Sequence, residues 1–171
     1  MTSSNYIDHT TPRYRALHEA GHCAAAFLTG ADVEFVELLS DGGGRCRVVR
    51  SGDRHQAQCI AAAGYAVEFL LYRAGRLIAP KGPAPDKWFI DLSMANAWDD
   101  KTSFFNGDHS KGASAWPPEM DKEFMTFGWK EVSTMLEPLM QGIEALAERL
   151  EAESRLTGAE ARAILERHGL P

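Results

Sequence analysis

The chain has 171 residues, 44% of them hydrophobic and 25% charged, and its eighteen Lys and Arg against twenty-four Asp and Glu leave a net charge of −6. That is the make-up of an ordinary soluble globular protein, long enough for one well-cored domain and too short for two full-sized ones. It excludes a phosphate-tracking basic surface, so no nucleic acid is expected as a partner, and no membrane either: the longest apolar run, "CIAAAGYAVEFLLY", is interrupted by Glu68 and is too short to span a bilayer.

Cys23, Cys46 and Cys59 form no C-x-x-C pair, which argues against a disulfide framework and a cysteine-based zinc ribbon and fits a reducing compartment. The opening "MTSSNYIDHTTP" has no apolar core of a signal peptide, so residues 1–11 are expected to be a polar tail and the location cytoplasmic. The first strong element follows at once. Thr11 suits an N-cap, Pro12 a first helical position and Gly30 a stop, and Tyr14, Leu17, Gly21, Ala24, Ala25 and Leu28 recur at helical spacing. "VEFVELL" and "RCRVVR", separated by "SDGGG", predict a short hairpin. A helix over about residues 54–74 follows, capped by Asp53 or Ser51 and ended by Gly75, with Ile60, Gly64, Val67 and Leu71 as its apolar stripe.

"APKGPAPDKW" is a loop, "WFIDLSMANAWDD" one short helix, and "NGDHSKGASAWPP" an irregular loop of the kind that borders binding sites. From Pro118 the pattern is helical again, broken at Pro138 and resumed through Met140, Ile143, Leu146 and Leu150. Thr157 with Glu160 forms a capping box for a last helix closed by Gly169. The picture is mainly α with a small antiparallel β-hairpin or sheet. It is a single unit, with residues 12–117 carrying the chemistry and 118–171 a C-terminal helical subregion.

The chemistry lies in "HEAGH", residues 18–22. Residues four apart on a helix are separated by about 40°, so the His18 and His22 rings can converge on one ion. Glu19, about 100° round from His18, stands beside them, where a carboxylate can act as general base. Small neighbours, Ala20, Gly21, Ala24, Ala25 and Ala26, let other backbone come close. A catalytic zinc needs a third protein ligand and an open position. His55, Glu68, Asp91, Asp99, Asp100, Asp108 and His109 are available; a carboxylate on a neighbouring helix is easiest, which favours Glu68 or Asp91. Glu68 lies in an otherwise apolar helix, so it is either a ligand, an acceptor for a ligand's ring N–H, or a solvent-facing residue. Cys23 reads as a small packing residue, and of the aromatics Trp116, in the loop, is the one to watch.

The succession of "HEAGH", a hairpin, "AAAGYAVEFLL", "DLSMA" and "MLEPLMQGIEALAERLEAESRLTGAEARAIL" resembles the peptidase domain of the FtsH family of ATP-dependent zinc metalloproteases. The resemblance implies a zincin-like helical metallopeptidase domain with His18, His22 and Asp91 as Zn2+ ligands, Glu19 as catalytic base, and Glu68 a ligand's partner or alternative ligand. It also implies a protein or peptide substrate bound extended along a sheet edge. No G-x-x-x-x-G-K-[ST] nucleotide loop occurs in the chain, so the expected activity is that of a zinc metalloendopeptidase of the HExxH type without its own ATPase. Its targets would be unfolded or flexible segments, with an unfoldase or regulatory partner supplied in trans. Two alternatives stand beside it: a narrow protease for one regulatory partner, and a catalytically inactive, zinc-stabilised binding module whose metal is closed by a fourth ligand such as His109 or Asp108. Glu19 argues against the last. Oligomeric state is left open.

Overall fold

The computed structural model describes residues 6–49, 52–79, 82–83, 85–107 and 116–171. Helix α1 (Pro12–Leu28) starts after an extended Thr11 with proline in its first turn, and Gly30 follows it at φ +80°. A residue without Cβ takes that left-handed backbone freely, so the chain can turn out of the helix there. Every residue from Ala16 to Phe27 is buried. The helix is therefore central, and the single apolar face expected for it understates its burial. Its alanines and glycine let α2 (Arg54–Ala61), α3 (Ala63–Arg73), α8 (Met140–Glu153) and the sheet approach on every side.

The sheet over α1 is the predicted hairpin with one addition. β2 (Asp32–Leu38) and β3 (Gly44–Val49) pair antiparallel, with Val36 opposite Cys46 and Leu38 opposite Gly44. β6 (Arg155–Thr157), which the sequence pattern did not mark, pairs with the far side of β2 through Val36 and Leu156. The order β3-β2-β6 leaves β3 at an edge. A second small sheet joins β1 (Ile7–Asp8), β4 (Leu77–Ala79) and β5 (Gly82–Pro83), with Ile7 parallel to Leu77. Ile7 is buried, so the end of the segment expected to be a polar tail is held in the fold by an apolar side chain.

Two expected helices are each divided. Residues 54–74 form α2 and α3, joined at Ala62; Asp53 caps α2 by accepting from Gln56 N at 3.0 Å, and Ser51 lies outside the described residues. The Ile60 carbonyl near the join is taken by a histidine side chain, an ordinary way for a helical ladder to be interrupted. Likewise residues 88–100 belong to α4 (Asp86–Asn96) and α5 (Trp98–Phe105), which meet at Ala97. The C-terminal part runs through α6 (Pro118–Phe127), a π-helical stretch Gly128–Val132, α7 (Ser133–Leu136), a 3-10 turn Glu137–Leu139 at Pro138, α8 and α9 (Gly158–Glu166). The capping box of α9 is present in both directions. Ile143, Leu146 and Leu150 of α8 are fully buried, each contributing about 1.5–3 kcal/mol of hydrophobic stabilisation.

Candidate metal centre

His18 and His22 lie one turn apart on α1 and aim their Nε2 atoms at a carboxylate on α5. His18 Nε2 is 3.2 Å from Asp100 Oδ2, and His22 Nε2 is 3.4 Å from Asp100 Oδ1. Ligand atoms of the three residues all fall within 4.8 Å of one another. The other ring nitrogens are committed. His18 Nδ1 donates to Glu68 Oε1 at 2.8 Å, and His22 Nδ1 donates to the Ile60 carbonyl at 2.7 Å. With Nδ1 carrying a proton, each ring aims Nε2 at Asp100, as an N–H donor when the ring is charged and as a free lone pair when it is neutral.

Electrostatics tie the three together. Burial opposes a charge on His18, but the bonds to Asp100 and Glu68 outweigh it and push its pKa up to about 10. Burial opposes the charge on His22 too, and the Asp100 carboxylate pushes it up to about 9. For Asp100 burial works to raise the pKa, yet the two imidazoles hold it well below the usual carboxylate range. The spacing that protons bridge here is also open enough for a shared cation. Charged N–H···O bonds settle at about 2.7–2.9 Å, whereas ligand atoms arranged tetrahedrally at about 2.0–2.1 Å from a zinc ion stand about 3.3 Å apart. Two imidazoles, one carboxylate and orienting acceptors behind the rings are also the donor set such an ion takes.

Two glycines make the space. A Cβ at Gly64 of α3 would lie 2.3 Å from the His18 ring, and one at Gly44 of β3 would lie 2.5 Å from Glu19 Cγ. The Glu19 side chain therefore lies against the edge strand, and it makes no hydrogen bond or ion pair among the described residues. Glu68 sits beneath His18, 1% exposed, and also accepts from Asn96 Nδ2 at 3.3 Å. Above these groups opens a cleft of about 520 Å³ walled by α1, by β3 from Gly44 to Val48, and by Asn96 and Asp100.

Asp91, expected as the third ligand, does not stand beside the two histidines. It lies on the outer face of α4, its side chain 63% exposed and paired with Lys87 one turn away at 2.5 Å. Asp100, nine residues on, is the carboxylate that stands beside both imidazoles. The signal was present in the spacing: Ala97, Lys101 and Phe104 mark the buried face of α5, and Asp100 falls among them. Lys101 fixes that face, since its buried ammonium reaches Asp121 of α6 at 2.6 Å between the rings of Trp98 and Trp116. Trp116 is thus buried, 5% exposed, and packs edge-on against Trp98 rather than lining a groove. His55 is at the surface beside Glu131, and Asp99 is exposed on the cleft rim. Asp108 and His109 lie outside the described residues. Cys23 is buried as a packing residue, with its Sγ 3.3 Å from that of Cys46 on β3, both thiols free.

Among the described residues no helix is long and apolar enough to cross a membrane. Residues 14–83 match the family model described as Peptidase M50B-like, a span that holds His18, Glu19, His22 and Glu68 and stops short of α5. No curated protein matches the chain. The match supports a metallopeptidase-family domain here, without pointing to the FtsH family in particular.

Proposed function

We propose that this chain is a zinc-dependent endopeptidase acting on unfolded or flexible protein segments, with His18, His22 and Asp100 as ligands and Glu19 as general base. The observation that carries the reading is the convergence of two Nε2 atoms on one carboxylate, beside a glutamate with no partner of its own among the described residues. When bound, zinc acts as a Lewis acid, acidifying water and polarising the scissile carbonyl. The rest is the work of the chain. Glu68 and the Ile60 carbonyl hold the rings in the tautomer that ligates. Glu19 takes the proton of the attacking water and passes it to the leaving amine. The free edge of β3 accepts an extended peptide by backbone pairing, which tolerates many sequences. Folded targets would need an unfoldase partner or an exposed loop. Cytoplasmic conditions would keep Cys23, Cys46 and Cys59 as the thiols they are here.

Cleavage of an unfolded model protein by the zinc-loaded chain, run beside Glu19→Gln, tests the proposal. The parent should cut, and the variant should bind about one zinc per chain and fall by at least about a hundredfold in rate. Zinc bound by both with cleavage by neither would sink it.

A further inference from the structure

Arg15 stands on α1 one turn before Glu19 and lines the same cleft. It also lines an adjoining cavity of about 260 Å³ toward the Gly42–Gly43 turn, so the residue borders both spaces. Half-buried, it makes no hydrogen bond or ion pair among the described residues. The other arginines lining the cleft do: Arg45 pairs with Glu37 and Arg47 with Glu34. Arg15 and Glu19 are even spaced for a pair along the helix, yet Glu19 packs on Gly44 instead. Helical side chains lean toward the helix N-terminus, which carries Arg15 away from Glu19 and toward the second cavity. A guanidinium in a cleft, without a carboxylate partner among the described residues, is built to receive one from a ligand.

Resting on the endopeptidase reading, we propose that Arg15 is a specificity-determining residue that binds a substrate carboxylate. Four residues of helix cover about 6 Å, the length of about two residues of extended peptide. With the side chain leaning away from Glu19, the carboxylate would thus lie about two or more residues from the scissile bond, as an Asp or Glu side chain or as the chain's own terminus.

Binding separates this from the chemistry. In the zinc-loaded Glu19→Gln background, fluorescence anisotropy would compare three versions of one labelled peptide: neutral with an amidated end, Glu-containing with an amidated end, and neutral with a free C-terminus. At least one carboxylate-bearing peptide should bind about tenfold tighter than the neutral one, as a charge-assisted bond predicts, and which one identifies the source. That ratio should fall to near one in Arg15→Gln and invert in favour of a Lys-containing peptide in Arg15→Glu, with Arg15→Lys keeping part of it. Thermal melts would verify that each variant is folded. Equal binding of all three peptides by a folded parent, or a preference that survives Arg15→Gln and Arg15→Glu alike, would overturn the assignment. A preference that follows Arg15 in a chain that never cuts would uphold the carboxylate site while removing the peptidase reading.

Discussion

Helix α1 and the α4–α5 segment each contribute to the centre, and they were legible to very different degrees. In α1 the residues that matter sit at fixed offsets on one rigid helix, so H-E-x-x-H fixes their mutual geometry wherever the helix goes. In α4–α5 the relevant fact is which carboxylate faces α1, and that depends on the turn at Ala97 between two helices. A single helix through residues 88–100 would be phased differently, and the family resemblance through "DLSMA" implies Asp91. The divided pair turns Asp91 to solvent and Asp100 inward. Local spacing carries information within an element; it carries little across a joint.

That contrast has measurable consequences. Asp100→Ala should lower zinc affinity by at least about a hundredfold, beyond the range seen for residues that only orient ligands, while Asp91→Ala should leave it within about twofold because an exposed ion pair contributes little. Competition against a fluorescent zinc chelator reads both; loss in Asp91→Ala with retention in Asp100→Ala would restore the other assignment. Acidity should act through the same trio. With His18 near 10 and His22 near 9 in the metal-free protein, an ion at neutral pH has to displace both protons. Affinity should then climb by up to about a hundredfold per pH unit below pH 9, since two protons are released, as calorimetry in buffers of differing ionisation heat would detect.

The metal-free chain should respond in the opposite sense. Because the two histidines have folded-state values above their unfolded ones, the stability they contribute is complete below about 6.5 and is lost as the pH rises through 9 and 10. Asp100, held low, contributes above its unfolded value and loses that as acid approaches its folded one. Thermal melts in chelator should therefore peak on the mildly acidic side, and a melting temperature that rises steadily from pH 6 to 9 would contradict this. Glu68→Gln keeps the shape but removes the charge behind His18; about a ten- to hundredfold weakening of zinc is expected. Gly64→Ala presses a methyl group into the His18 ring and should cost about 1–3 kcal/mol of stability, read as a lowered melting temperature with zinc binding impaired as well. An unchanged melt would mean that α3 lies farther from α1 than the 2.3 Å contact requires.

Elsewhere the same division recurs. The capping box at Thr157 and Glu160, the stop at Gly30 and the interruption at Pro138 are properties of a few consecutive residues, and each is found in the structure. β6 escaped notice because three residues, Arg155–Thr157, have no period to read; they are a strand because β2 offers them an edge. Gly44 looked like part of a turn and Gly64 like part of an apolar stripe, and in the fold both are the vacancies into which Glu19 and His18 fit.

The order of the residues was enough to place two imidazoles and a carboxylate on one helix and to mark a helical chain with a hairpin, because those features depend on rotations of about 100° per residue and on turn chemistry within a few positions. The carboxylate that meets the two imidazoles, the strand edge beside Glu19, and the guanidinium of Arg15 without a partner among the described residues come from surfaces far apart in sequence being pressed together. Close packing at those junctions, rather than any run of neighbouring residues, sets which side chains meet.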